Sequence, residues 1–199
     1  MEPEFFNNYK HIIFDLDGTL IDSKESILNS LKIAFEMNNF YNIDYSKFKL
    51  GPPLKEALGL MTNDLSEIDA IIEAFKANYD KDGYKKTIFP DKMRNLLDTL
   101  FLEKKILYIV TNKRKLVTNK ILEYFNIVHY FNEVYSIDTF SSHKNKTDLI
   151  KKMIIEKVLD EKNTVYVGDT DLDKKASLKN NIDFIFIEQF RLISLYSAC

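Results

Sequence analysis

The feature that most constrains this chain is a repeated alternation of short apolar runs with longer stretches of helical periodicity. Ile12-Ile13-Phe14, Ile106 to Val110, Val134-Tyr135, Thr164 to Val167 and Phe184 to Ile187 read as strands buried on both faces, because none alternates apolar with polar. Between them, Met93, Leu96, Leu97, Leu100 and Phe101 fall on one helical face. So do Leu116, Val117, Ile121, Leu122 and Phe125, and later Leu149, Ile150, Met153 and Ile154. Buried strands alternating with amphipathic helices predict a parallel sheet covered on both sides. The expected class is α/β, with an open Rossmann-like core.

One interval breaks the rhythm. From Asp22 to about Tyr84 the pattern is helical throughout, with no convincing strand. Asp22 and Glu25 read as a capping pair opening a helix whose apolar face is Ile27, Leu28, Leu31, Ala34 and Phe35. A second helix carries Ile68, Ile71, Ile72, Phe75 and Tyr79 on one stripe. Gly51-Pro52-Pro53 marks a rigid turn between helices. At 199 residues the chain fits a core domain carrying a smaller insertion. The expected division is core over 1–21, helical insertion over 22–84, and the rest of the core over 85–199.

Composition narrows the partners. A net charge of −2, with Lys and Arg spread along the chain, predicts no nucleic-acid and no membrane partner. No apolar run approaches the roughly 20 residues of a membrane span. The first ten residues lack the apolar segment of a signal peptide, and Cys199 is the only cysteine, which removes an internal disulfide. A cytoplasmic location is expected.

In open α/β sheets, ligands bind beyond the carboxyl ends of the strands, and those ends hold a short list of residues. Asp15, Asp17 and Gly18 follow the first strand; Thr111 and Asn112 follow the second. Lys144 and Lys146 lie between the third strand and the next helix, and Asp169 and Asp173 follow the fourth. Alone, Asp-x-Asp-Gly is an ordinary turn sequence, and two lysines are ordinary surface groups. An EF-hand reading of Asp169, Asp171 and Asp173 fails, since Lys174 stands where the loop needs glycine and Asn180 where it needs glutamate. Taken together the groups suit phosphoryl transfer. A carboxylate at Asp15 can attack phosphorus while Asp17 handles a proton. Oxygen ligands from Asp15, the Asp17 carbonyl and Asp169 suit Mg²⁺. Thr111 and a lysine can balance the phosphate oxygens, and Gly18 allows close backbone approach.

HIIFDLDGTLIDS, IVTNK and VYVGDTDLD resemble the first, second and fourth motifs of the haloacid dehalogenase superfamily of phosphatases, in its phosphoglycolate phosphatase-like branch. The resemblance spans about Lys10 to Ile187. It implies an aspartyl-phosphate mechanism with Asp15 as nucleophile and Asp17 as acid, then base. It further implies Mg²⁺ held by Asp15, the Asp17 carbonyl and Asp169, with Asp173 in support, and phosphate held by Gly18, Thr111, Asn112 and a third-motif lysine. Lys146 is preferred to Lys144 for that lysine, because Lys-Thr-Asp-Leu-Ile is similar to the family pattern. The insertion stands where this branch carries its helical cap, and Leu50 to Leu54 resembles the cap's substrate-facing loop. Asn180-Asn181 departs from the glycine-containing turn usual in the branch.

The expected function is therefore Mg²⁺-dependent hydrolysis of a small organic phosphate monoester, with a phosphorylated metabolite as partner. A sugar-phosphate phosphotransferase and a non-catalytic binding protein are the alternatives on the same fold. Cap contacts set specificity, so the substrate and the oligomeric state stay open at this point.

Overall fold

The computed structural model describes residues 3–62, 68–139 and 145–188. Its contacts divide the chain into two compact units: one formed by the residues up to Ile21 and those from Phe89 onward, the other by Asp22–Ile88.

The first unit is built on five parallel strands: β1 (His11–Phe14), β2 (Ile106–Thr111), β3 (Phe131–Ser136), β4 (Thr164–Gly168) and β5 (Asp183–Phe186), in the order β3-β2-β1-β4-β5. The α/β class with a Rossmann-like parallel sheet is thus as expected. Phe14 is level with Ile109 and Val167, Ile109 with Val134, and Val167 with Ile185. Asp15 therefore emerges one residue beyond that level, and Thr111 and Asp169 two. The register brings the candidate residues to one sheet edge.

Both faces of the sheet are covered, which explains the unbroken apolar runs. Ile13, Tyr108, Val110, Tyr135 and Tyr166 pack with Leu149, Ile150, Met153 and Ala176. Ile12, Phe14, Leu107, Ile109, Val165 and Val167 alternate with the first set and are also buried. The helices of this unit are numbered after the three of the insertion: α4 (Asp91–Leu102), α5 (Lys115–Tyr124), α6 (Lys146–Lys157) and α7 (Asp171–Leu178). Phe101 and Leu116 leave the faces assigned to them and are exposed. Each adjoins a core residue in sequence, and one helical step of about 100° carries it out of the core.

The second unit contains α1 (Lys24–Met37), α2 (Leu54–Met61) and α3 (Ile68–Lys81). Ile27, Leu31, Ala34 and Phe35 of α1 and Ile68, Ile71, Phe75 and Tyr79 of α3 are buried, while Leu28 and Ile72 are half-buried. The capping pair is not formed. Ser23 is the N-cap of α1; the Asp22 side chain accepts from the Lys24 N–H at 3.3 Å, and its main chain exchanges hydrogen bonds with Ile88 at 2.8 and 2.9 Å. That antiparallel bridge closes the insertion at its two ends. Gly51 sits at φ 106°, a backbone conformation that glycine adopts freely, and Pro53 is the N-cap of α2. No helix among the described residues is long and apolar enough to cross a membrane.

Candidate active site

The loop after β1 is tied down by its own backbone. The Asp15 N–H donates to Val167 O at 2.9 Å, fixing the residue against β4. The Leu16 carbonyl accepts from the N–H groups of Thr19, Leu20 and Ile21, and the Gly18 N–H donates to Ile21 O at 2.8 Å. This tight reversal puts Gly18 at φ 82°. A Cβ there would lie 2.2 Å from Asp169 Oδ2, so both conformation and space require glycine.

Asp15 is buried, and so is the lysine beside it. Lys146 Nζ lies 2.9 Å from Asp15 Oδ2 and 2.5 Å from Asp173 Oδ1. Lys146 is the first residue of α6, whose N-cap Asn145 accepts from the Asp148 N–H at 3.0 Å. Its position is thus set by the start of a helix. Lys144 lies outside the described residues. Asp173 is held from its other side: Oδ2 accepts from the Thr170 N–H at 3.1 Å and the Thr170 hydroxyl at 2.6 Å. The Asp173 N–H donates back to Thr170 Oγ1 at 3.2 Å. This capping box opens α7 and aims Asp173 at Lys146.

Asp169 Oδ1 accepts from the Thr19 hydroxyl at 3.2 Å. Carboxylate oxygens of Asp15, Asp169 and Asp173 lie within 4.8 Å of one another. Asp15 Oδ1 is buried with no hydrogen-bond partner among the described residues. Among the described residues, four carboxylates, with Asp17, share this edge with two lysines, Lys113 and Lys146, which leaves the carboxylates in excess. Burial raises the Asp15 carboxyl to about 7 against the pull of Lys146, with Asp173 and Asp17 adding to the rise. Burial and then Asp173 also raise Asp169. Burial opposes the Lys146 ammonium, but Asp15 and Asp173 outweigh it and hold its pKa above the usual lysine range. An orphaned buried oxygen beside converging carboxylates, with negative charge in excess, suits a hard divalent cation.

Asp17 turns its side chain elsewhere. Both its oxygens are close to Lys113 Nζ, at 2.9 and 3.2 Å, and its side chain is no member of the three-carboxylate cluster. Thr111 is buried, and its Oγ1 accepts from the Lys113 N–H at 3.1 Å. Asn112 is half-buried on the same turn. Lys113 was visible in the sequence as the last letter of IVTNK, but a lysine after a strand end carries no signal by itself. Its partner across β1 and β2 is what singles it out.

The family model for haloacid dehalogenase-like hydrolases matches residues 12–187, and the chain belongs to this family. It is 30% identical over 169 residues to the phosphoglycolate phosphatase of Aquifex aeolicus, covering 83% of this chain and 78% of that protein. Over 180 residues it is 28% identical to the tyrosine-protein kinase PtkA of Mycobacterium tuberculosis. That match covers 88% of this chain but only 61% of the length of the relative. Among solved structures, that of a predicted phosphatase from Clostridium acetobutylicum is similar at a TM-score of 0.80 with 27% identity, over 89% of this chain and 84% of that one.

Proposed function

We propose that this protein is a Mg²⁺-dependent phosphatase that hydrolyses small organic phosphate monoesters through an aspartyl phosphate on Asp15. The observation that carries the reading is the Asp15 carboxylate itself. It is buried at the carboxyl edge of the sheet, braced through one oxygen by Lys146 and left with the other unpartnered among the described residues.

Asp15, Asp169 and the main-chain carbonyl of Asp17 would hold the metal. Mg²⁺, when bound, offsets the repulsion between carboxylate and phosphate oxygens and polarises the phosphoryl group. Asp173 acts chiefly through Lys146, since protein donors already occupy both of its oxygens. Lys146 keeps Asp15 in place and offers a positive charge to the phosphate oxygens. Thr111 Oγ1 already accepts from Lys113 N–H, so its hydroxyl proton is left to donate to phosphate. Gly18 and Asn112 complete the phosphate-facing loops.

In the first half-reaction an Asp15 oxygen forms a bond to phosphorus as the bond to the ester oxygen breaks. Asp17 gives its proton to the departing alkoxide. In the second, Asp17 takes a proton from water, whose oxygen attacks phosphorus. The bond between phosphorus and Asp15 then breaks, releasing inorganic phosphate and restoring the carboxylate. None of these groups recognises the organic part of the ester, and we assign that selection to the helical insertion that follows the nucleophile loop.

Purified protein with Mg²⁺ and a panel of phosphate monoesters tests this directly. Steady release of inorganic phosphate is expected, abolished in Asp15→Asn. The kinase name of the mycobacterial relative favours a second reading, in which the phosphoryl group passes to an acceptor other than water. Product without free phosphate in the same assay would select that reading.

A further inference from the structure

Lys113 is no solvated surface lysine. Its side chain is 7% exposed and that of Asp17 15%, so the pair is largely out of water. Its ammonium reaches both oxygens of the Asp17 carboxylate, at 2.9 and 3.2 Å. Its own backbone N–H is anchored 3.1 Å from Thr111 Oγ1. The three-residue turn Thr111-Asn112-Lys113 thus carries at one end a hydroxyl for the phosphate and at the other a clamp on the acid. We infer that Lys113 is a positioning residue that fixes the Asp17 carboxyl group for its proton transfers, holding by both oxygens the carboxylate that remains once the proton has gone to the leaving group and that then takes a proton from water. The inference rests on the acid and base role of Asp17 given above.

The physical need is plain. Proton transfer requires donor and acceptor within about 2.6–3.2 Å, and a misplacement of about 1 Å can cost on the order of a hundredfold in rate. Asp17 stands on a reversal rather than on a strand, so its backbone alone leaves its two side-chain torsions undetermined. A single ammonium engaging both oxygens restrains those torsions. Because the clamp is built from the same turn as Thr111, it also fixes the distance from acid to phosphate. A lysine that served the phosphate instead would show itself in substrate affinity.

The test compares 4-nitrophenyl phosphate, whose leaving group departs without a proton, with glycerol phosphate, whose alkoxide needs one. In single-turnover experiments that follow phosphorylation of Asp15, Lys113→Met should slow the reaction of glycerol phosphate by roughly a hundredfold, slow that of the aryl ester far less, and leave KM for both nearly unchanged. Lys113→Arg, which keeps the charge, should recover much of the alkyl activity. In an Asp17→Asn background Lys113→Met should add little, because the two residues act as one unit. Lys113→Gln repeats the measurement should the methionine variant fail to fold, as judged by circular dichroism. Equal losses on the two esters, a change confined to KM, or additivity with Asp17→Asn would each overturn the inference while Asp15→Asn stays inactive. Phosphate release by Asp15→Asn equal to that of the native chain would instead overturn the underlying mechanism, and the inference with it.

Discussion

The Lys146 ammonium stands 2.9 Å from the Asp15 carboxylate, and both side chains are almost completely buried. A buried ion pair is a modest source of stability, but removing one member leaves the other charged and desolvated, at a cost of about 3–5 kcal/mol. Lys146→Met should therefore lower the melting temperature as well as abolish turnover, leaving Asp15, Asp169 and Asp173 without their buried counter-charge. Mg²⁺ should recover part of the lost melting temperature without recovering activity. An unchanged melting temperature would show that Asp15 is relieved in some other way.

Gly18 offers a sharper probe of the same edge. At φ 82° any other residue is strained by about 1–2 kcal/mol, and a Cβ would collide with the Asp169 carboxylate. Gly18→Ala should displace Asp169, weaken Mg²⁺ binding and reduce kcat, with a smaller loss of stability. Calorimetric titration with Mg²⁺ checks it. Native affinity in the variant would mean that Asp169 is no ligand.

A control lies far from the chemistry in kind. Val158 follows α6 in the left-handed region at φ 52°, where a β-branched residue is out of place, and its side chain is exposed. Val158→Asn should raise stability by up to about 1 kcal/mol and leave phosphate release untouched. Thermal unfolding of the two proteins decides it.

Much of this was legible in the sequence, for identifiable reasons. Strands β1, β2 and β4 are the inner three of the sheet, so both faces are buried and their apolar runs mark them almost to the residue. The edge strand β3 was visible only as Val134-Tyr135, because Asn132 and Glu133 interrupt the apolar signal of a strand that runs Phe131–Ser136. At the other edge, β5 begins at the exposed Asp183 and ends at Phe186, one residue before the expected Ile187. Asp22 looked like a helix cap by residue type, but a backbone bridge to Ile88, 66 positions away, leaves no local trace. The Asn180-Asn181 departure has a physical answer. Asn181 adopts φ 57°, which asparagine tolerates better than most residues, so it takes the place of glycine. Strand order, register and the Lys113–Asp17 pair are long-range facts that periodicity does not encode.

The last prediction concerns protons and the metal together. Asp15 is raised from 3.8 to about 7, first by burial, and Asp169 is raised in the same direction. A carboxyl whose pKa is higher folded than unfolded binds its proton more tightly in the folded state. It therefore contributes stability that is full below the unfolded pKa and is lost as pH rises toward about 7. The metal-free protein should accordingly melt at a lower temperature at pH 8 than at pH 5, and Asp15→Asn should flatten that slope. Mg²⁺ binds the ionised carboxylates, so protons compete with it throughout this window. Its affinity should rise with pH and level off above about 7, with protons released on binding below that point. Titration calorimetry in two buffers of different ionisation enthalpy measures the release. An Mg²⁺ affinity independent of pH from 5 to 8 would exclude Asp15 from the metal site, whatever its part in the chemistry.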